Sequence, residues 1–109
     1  MDKITWKDFE KIELRVGTVI KVEDFPEAKN PAYKLSIDFG EYGIKKSSAQ
    51  ITKLYKKDDL INKQVICVLN FPEKQIANFK SEVLTTGFIL DNKEVVLAIP
   101  EEESQMVLN

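Results

Sequence analysis

The sequence of 109 residues contains no histidine and a single cysteine, Cys67. Without histidine there is no imidazole general base, no histidine-dependent catalytic triad and none of the commonest metal ligand. One cysteine forms neither an internal disulfide nor a cysteine-based zinc cluster. A Gly-rich phosphate loop is also absent. The sequence therefore predicts no catalytic residues, no metal site and no cofactor.

The chain also lacks any long apolar run. No segment approaches the ~20 consecutive apolar residues that span a bilayer, and the N-terminal residues contain no apolar core of a signal peptide. With 43% hydrophobic and 31% charged residues, the composition is that of a globular protein rather than a disordered one. We therefore expect one domain over residues 1–109, located in the cytoplasm and without membrane insertion.

The formal net charge of −2 hides an uneven distribution of charges. Residues 1–28 carry five basic and seven acidic side chains, and residues 81–109 carry one basic and six acidic ones. Between them, residues 29–80 carry ten basic and five acidic side chains. A local excess of positive charge attracts phosphate groups even on an acidic protein, although lysines also serve as ordinary solvated surface.

The N-terminal part of the chain predicts a short helix followed by a long strand. Thr5 is a suitable N-cap and Asp8 lies in the first turn, which indicates a short helical segment within residues 1–11. Residues 12–23 alternate as in a strand, and Gly17 inside them suggests a bulge or a sharp bend. The alternation gives this strand one largely apolar face, made of Ile12, Leu14, Val16, Thr18, Ile20 and Val22.

Further strands are predicted along the rest of the chain, at residues 33–39, 44–49, 63–70, 83–90 and 95–99. In the first of these, Leu35, Ile37 and Phe39 are expected to point inward. The unbroken apolar middle of residues 63–70 is typical of a strand that is covered on both faces, by a helix or by another subunit.

Short non-strand segments are predicted between these strands. Ile51, Leu54 and Tyr55 recur at helical spacing, so a short helix is expected there, ending within residues 56–59. Residues 75–79 indicate a turn or a helical turn, and the chain ends in an acidic tail at residues 101–109. This order predicts an all-β small barrel with short helices. The oligonucleotide/oligosaccharide-binding (OB) fold is the leading candidate, and an SH3-like barrel accounts for the strands nearly as well.

Six short strings carry a resemblance to a known family. They are IELRVG (12–17), AYKL (32–35), SAQI (48–51), NFP (70–72), QIA (75–77) and SEVLTTGF (81–88). In this order and spacing they resemble the tRNA-binding domain family, which includes a C-terminal extension of methionyl-tRNA synthetases and stand-alone proteins. The string SEVL points to the branch of bacterial export-related chaperones.

The resemblance implies a fold, an assembly and two kinds of ligand. It implies an OB barrel that forms a homodimer and binds tRNA through shape and phosphate contacts, without catalysis. In the chaperone branch it also implies binding of unfolded or export-bound polypeptides. The alternative function is a chaperone that binds unfolded preprotein segments through apolar grooves and has no physiological role with tRNA.

Recognition of RNA loops requires cations for phosphates and polar or aromatic groups for bases. Lys45 and Lys46 are adjacent on a strand and point to opposite faces, so only one of them joins a given patch. The alternatives for the candidate residues are a solvated surface for the lysines, and caps or turn hydrogen bonds for the polar side chains. The RNA-binding candidates are Lys29, Lys34, Lys46, Ser48, Gln50, Asn70, Lys74, Ser81 and Glu82.

Four aromatic residues near the ends of elements are candidates for a peptide-binding surface or a dimer interface: Trp6, Phe9, Phe71 and Phe79. Core packing is the default for aromatic residues, whereas a chaperone requires exposed apolar surface. Arg15 is expected to form an ion pair with Glu13, which lies on the same strand face. Cys67 lies within an apolar strand, and we expect a buried, unreactive thiol there.

Overall fold

The computed structural model describes residues 1–102, so most of the acidic tail predicted at 101–109 lies outside the described residues. Within residues 1–102, no helix has the length and apolar character needed to cross a bilayer. In chain order, the elements are α1 (Trp6–Glu10), β1 (Leu14–Asp24), β2 (Tyr33–Asp38), a 3-10 turn (Gly40–Tyr42), β3 (Ile44–Ala49), α2 (Lys57–Leu60), β4 (Gln64–Val68), β5 (Lys74–Ile76), β6 (Phe79–Ser81), β7 (Leu84–Thr85), β8 (Gly87–Ile89) and β9 (Val95–Leu97).

Five strands form one antiparallel sheet in the order β3-β2-β1-β4-β7, and β5–β6 and β8–β9 form separate two-stranded ribbons. The sheet curls around a core whose fully buried side chains include Val19, Leu35, Ile37 and Val65. The expected inward positions of β2 are confirmed, because Leu35, Ile37 and Phe39 are all buried. The arrangement is an all-β, nearly closed five-stranded barrel, which confirms the OB-type fold.

The two edges of the sheet, β3 and β7, meet through side chains, and we call this junction the seam. Thr85 Oγ1 donates to Ser47 Oγ at 2.8 Å, and Ser47 is fully buried in the core. The residues just before β7 bond to the β3 backbone: Glu82 N donates to Lys46 O at 2.7 Å. The barrel is therefore closed by a few specific bonds rather than by a continuous ladder.

The largely apolar face predicted for β1 points mostly away from the core. Leu14 and Ile20 are 42% and 43% exposed, whereas Gly17 and Val19 face the core. A register shift between Val19 and Lys21 marks the bulge, so the irregularity lies after Gly17 rather than at it. A Cβ at Gly17 would lie 2.5 Å from Ile37 Cγ2, so this glycine serves the close packing of the core.

Two of the predicted connections also differ from the structure. The short helix begins where the prediction ended it: α2 starts after Lys56, whose N–H donates to Asp59 Oδ2 at 2.8 Å. A carboxylate in the first turn stabilises a helix N-terminus, so the polar run starts this helix instead of ending it. Residues 75–79 lie in the β5–β6 hairpin, where Ala77 adopts a positive φ of 51°.

The N-terminal helix is confirmed. Asp8 N donates to Thr5 Oγ1 at 3.1 Å, and Thr5 N donates to Asp8 Oδ2 at 3.0 Å. These reciprocal bonds form a capping box, which satisfies two of the backbone donors at the start of α1.

Candidate nucleic-acid interface

A groove of about 390 Å³ lies between the seam and the β5–β6 hairpin. Its residues come from the end of β3, the segment after β4, the hairpin and the segment before β7. They are Ser48, Gln50, Phe71, Pro72, Lys74, Ile76, Ser81, Glu82, Val83 and Leu84. Five of the nine predicted RNA-binding residues and one of the four aromatic candidates are brought together here.

Two polar side chains of the groove are fixed by bonds to the backbone of β3. Ser81 Oγ accepts from Ser48 N at 3.0 Å, and Glu82 Oε1 accepts from Lys46 N at 2.9 Å. Both side chains therefore belong to the seam as well as to the groove. The sequence analysis predicted both residues as RNA-binding candidates. Their second role, which is to close the barrel through hydrogen bonds to β3, is visible only in the structure.

A row of polar and basic side chains continues from the groove onto the outer face of β2 and β3. Lys34 pairs with Ser48 and Ser36 pairs with Lys46, so these four side chains share one face of the antiparallel pair. Lys46 is thus the member of the Lys45–Lys46 pair that lies beside the groove.

Lys34 is held in place by aromatic rings. Its Nζ lies 5.5 Å from the centroid of the Phe25 ring and 6.0 Å from that of Phe79. The two rings meet edge to face, with centroids 5.4 Å apart. Phe25, Ala32 and Phe79 form a second buried cluster, which we call the satellite core. It joins the β1–β2 loop to the β5–β6 hairpin and fixes both next to the groove.

Lys29 and Asn70 lie apart from the groove lining. Lys29 borders a second hollow of about 430 Å³, formed mainly by the β1–β2 loop. The Asn70 amide bridges two backbone groups near α1, since Asn70 Oδ1 accepts from Glu13 N at 2.9 Å and Asn70 Nδ2 donates to Lys11 O at 2.6 Å. Its amide therefore ties the end of β4 to the N-terminal segment.

The four aromatic candidates occupy three different environments. Phe79 is buried in the satellite core, and Phe71 is 54% exposed on the groove wall. Trp6 and Phe9 lie on α1 with ring centroids 5.5 Å apart, and Trp6 is 73% exposed. Core packing therefore applies to Phe79 alone among the four.

A further exposed apolar surface was missed by the sequence reasoning. Phe88 and Ile89 of β8 are 69% and 75% exposed, and Val96 of β9 is also exposed. These three residues define what we call the apolar hairpin. Leu14 and Leu84 are exposed on the outer face of the sheet, where both lie in register with Val68 of β4, the strand between β1 and β7. The run of three apolar residues at 88–90 is the sequence feature that could have indicated this exposed surface.

Two further expectations are confirmed. Arg15 Nη2 lies 2.7 Å from Glu13 Oε2 and also receives support from Tyr42, whose hydroxyl bond raises the pKa of the guanidinium. Burial raises the pKa of the Cys67 thiol to about 11, despite an opposing bond to Thr85. A thiol with such a pKa stays protonated and unreactive at neutral pH. Residues 1–102 contain no group of three or more His, Cys, Asp or Glu side chains placed to hold a metal ion.

The barrel and its groove define an OB-type protein with lysines on the face beside the groove. A family model described as "Putative tRNA binding domain" matches residues 14–108. The chain belongs to this family of tRNA-binding domains.

Known relatives fall into two groups. Methionine–tRNA ligase of Pyrococcus horikoshii is 33% identical over 109 residues, which is 97% of this chain but only 14% of the ligase. Solved structures of the chaperone CsaA are similar over 94% of both chains. They come from Picrophilus torridus (56% identity, TM-score 0.88) and Bacillus anthracis (50% identity, TM-score 0.90). The resemblance to the chaperone branch is thereby confirmed.

Proposed function

We propose that this protein is a non-catalytic tRNA-binding module of the cytoplasm. The observation that carries the proposal is the position of Lys34 and Lys46 on one face, continuous through Ser48 with the groove that holds Lys74. Phosphate contacts by such lysines supply affinity that does not depend on sequence. The fixed shape of the groove and the aromatic ring of Phe71 suit an unpaired base beside the phosphates.

A homodimer is part of the proposal. Neighbouring exposed apolar side chains on a globular domain mark an interaction surface. The apolar hairpin and the exposed Leu14 on the outer face of β1 provide such a surface. A twofold assembly through this surface would present two grooves to one folded RNA.

The test is tRNA binding across a salt series with a matched pair of lysine variants. Lys46→Ala removes a charge from the binding face, and we expect weaker binding with a salt slope smaller by roughly 0.7–0.9. Lys45→Ala removes the same charge one residue away on the opposite face and serves as the control. Equal losses in both variants, or no binding of tRNA by the unmodified protein at low salt, would contradict the proposal.

A second candidate function is a chaperone for unfolded polypeptides, including export-bound ones. It is favoured by the apolar walls of the groove at Phe71, Ile76 and Leu84, and by the apolar hairpin. Apolar contacts predict binding that depends weakly on salt. Competition experiments separate the two functions. In these experiments a labelled unfolded peptide is bound first, and either a permanently unfolded polypeptide or tRNA is added as the competitor. For a chaperone without an RNA role, the polypeptide displaces the labelled peptide and tRNA does not.

A further inference from the structure

We propose that the groove selects one unpaired guanine base, recognised by the carboxylate of Glu82. This inference rests on the proposed tRNA-binding function and names the chemistry of the site. Its starting point is a negative charge in the middle of a basic face: Glu82 lines the same groove as Lys74. A carboxylate repels phosphate, so the group that enters beside it must be a hydrogen-bond donor rather than the RNA backbone.

The Glu82 carboxylate is held in place with bonding capacity left. Oε1 accepts from Lys46 N, and Oε2 has no hydrogen-bond partner within residues 1–102. An ionised carboxylate only accepts hydrogen bonds, and its two oxygens take a pair of adjacent donors. Because Oε1 is fixed by the β3 backbone, the orientation of the whole group is set before the ligand arrives.

Among the four bases, guanine alone places two donors side by side on its Watson–Crick edge, at N1 and at the 2-amino group. Adenine, cytosine and uracil each place an acceptor next to their donor, and this acceptor would face the second carboxylate oxygen. Unpaired bases in RNA loops are read on this edge while they stack on aromatic rings. Phe71, which is 54% exposed in the groove wall, provides the ring, and Lys74 provides a cation for the adjoining phosphate.

The experiment measures binding of short single-stranded RNAs that are uridine-rich and differ in one central base. We expect the guanine oligonucleotide to bind about tenfold more tightly than the adenine one, which is the order expected of a bidentate contact. Inosine keeps the donor at N1 and lacks the 2-amino group, so it should bind with intermediate affinity. Equal affinity for guanine, inosine and adenine would overturn the inference.

Glu82→Gln is the informative variant. The Gln amide oxygen still accepts from Lys46 N, so the seam is preserved, while the other position becomes a donor. We expect this variant to lose the preference for guanine, so that the guanine and adenine oligonucleotides bind with equal affinity. A variant that retains the guanine preference would also overturn the inference.

Failure of this inference and failure of the proposed function give different results. If the unmodified protein binds tRNA with a salt slope but does not distinguish the oligonucleotides, base selection is wrong and the tRNA-binding function stands. If it binds neither RNA, both are wrong. A third result would overturn the inference in favour of a polypeptide ligand. In it the guanine preference is absent, a lysine-rich unfolded peptide displaces the guanine oligonucleotide, and this peptide binds Glu82→Gln more weakly than the unmodified protein. The carboxylate would then bind a polypeptide.

Discussion

The groove and the apolar hairpin are both rich in exposed apolar groups, but they are built differently. In the groove, Phe71 and Leu84 stand beside polar atoms whose directions are fixed by bonds to β3. The apolar hairpin exposes Phe88 and Ile89 on the two-stranded ribbon β8–β9, which packs on the main core through Leu97. Fixed polar groups suit a ligand that arrives with its own hydrogen-bonding groups, whereas bare apolar area suits a surface that is covered permanently.

The groove and the apolar hairpin are also anchored to different cores. The satellite core of Phe25, Ala32 and Phe79 lies beneath the loop and hairpin that border the groove. Rigid surroundings reduce the ordering cost of binding, so the groove is prepared for its ligand before contact. The contrast gives four predictions, which follow from the largest expected effect to the smallest.

Placing charge on the apolar hairpin should abolish the proposed dimer. In the double variant Phe88→Asp and Ile89→Asp, two carboxylates would be buried without partners, and we expect sedimentation to give the monomer mass at micromolar concentration. Phe71→Asp introduces a charge at a similarly exposed aromatic residue in the groove. We expect that control to keep the dimer mass and weaken RNA binding. A monomer mass for the unmodified protein, near 12.5 kDa, would refute the dimer.

Removing the ring of Phe79 should destabilise the protein and weaken the groove together. Truncation of a buried aromatic side chain to alanine costs about 3 kcal/mol in unfolding free energy, and it removes one of the two rings beneath Lys34. Urea unfolding measures the first effect and tRNA binding the second. Phe71→Ala is the control, since its exposed ring should contribute little to stability. Similar destabilisation in the two variants would show that the satellite core is not a separate structural unit.

The stability of the barrel should fall at high pH because of Cys67. The pKa of this thiol is raised from 9.0 to about 11 in the folded state, so the folded protein retains a proton that the unfolded chain releases. The resulting stabilisation is present at pH 8 and is lost as the pH rises from 9 through 11. We expect the unfolding free energy to drop by about 2 kcal/mol more in the unmodified protein than in Cys67→Ala. Equal drops would mean that the thiol is accessible to solvent.

Loss of a single bond in the seam should have the smallest effect. Ser81→Ala removes the acceptor for Ser48 N, which leaves a partly buried donor without its partner. We expect a loss of about 1 kcal/mol in unfolding free energy, measured by urea unfolding. Ser36→Ala, on the same outer face, is the matched control and should leave stability unchanged. An unchanged stability in Ser81→Ala would show that Ser48 N finds water instead.

The alternation of apolar and polar residues predicted the inward face correctly where the core side of a strand is fully lined by large side chains. The core side of β2 carries Leu35 and Ile37, and the pattern gave their direction correctly. In β1 the core side carries Gly17, while Leu14 and Ile20 point outward, so the more apolar side of the sequence is the exposed one. A pattern records which residues are apolar and cannot tell whether core or partner surface will cover them.

The candidate site was also predicted only in part, because a local sequence pattern does not record contacts between distant segments. The resemblance marked Ser48, Gln50, Ser81 and Glu82, and these residues do line one groove. Their division of labour depends on contacts across 33 to 36 residues of sequence, which no local pattern records. The β5–β6 hairpin was missed because Ala77 takes a left-handed conformation that the sequence does not announce with glycine or asparagine at that position.

Two backbone amides in the seam should reveal whether the groove is occupied by a ligand. The amide protons of Lys46 and Ser48 are held by side chains that line the groove, whereas most amides of a sheet are held by a neighbouring strand. We expect their exchange with deuterated solvent to follow the state of Glu82 and Ser81 rather than the unfolding of the barrel. The hydrogen-exchange rates of these two amides on one edge strand thus allow RNA binding to be followed without a label on the RNA.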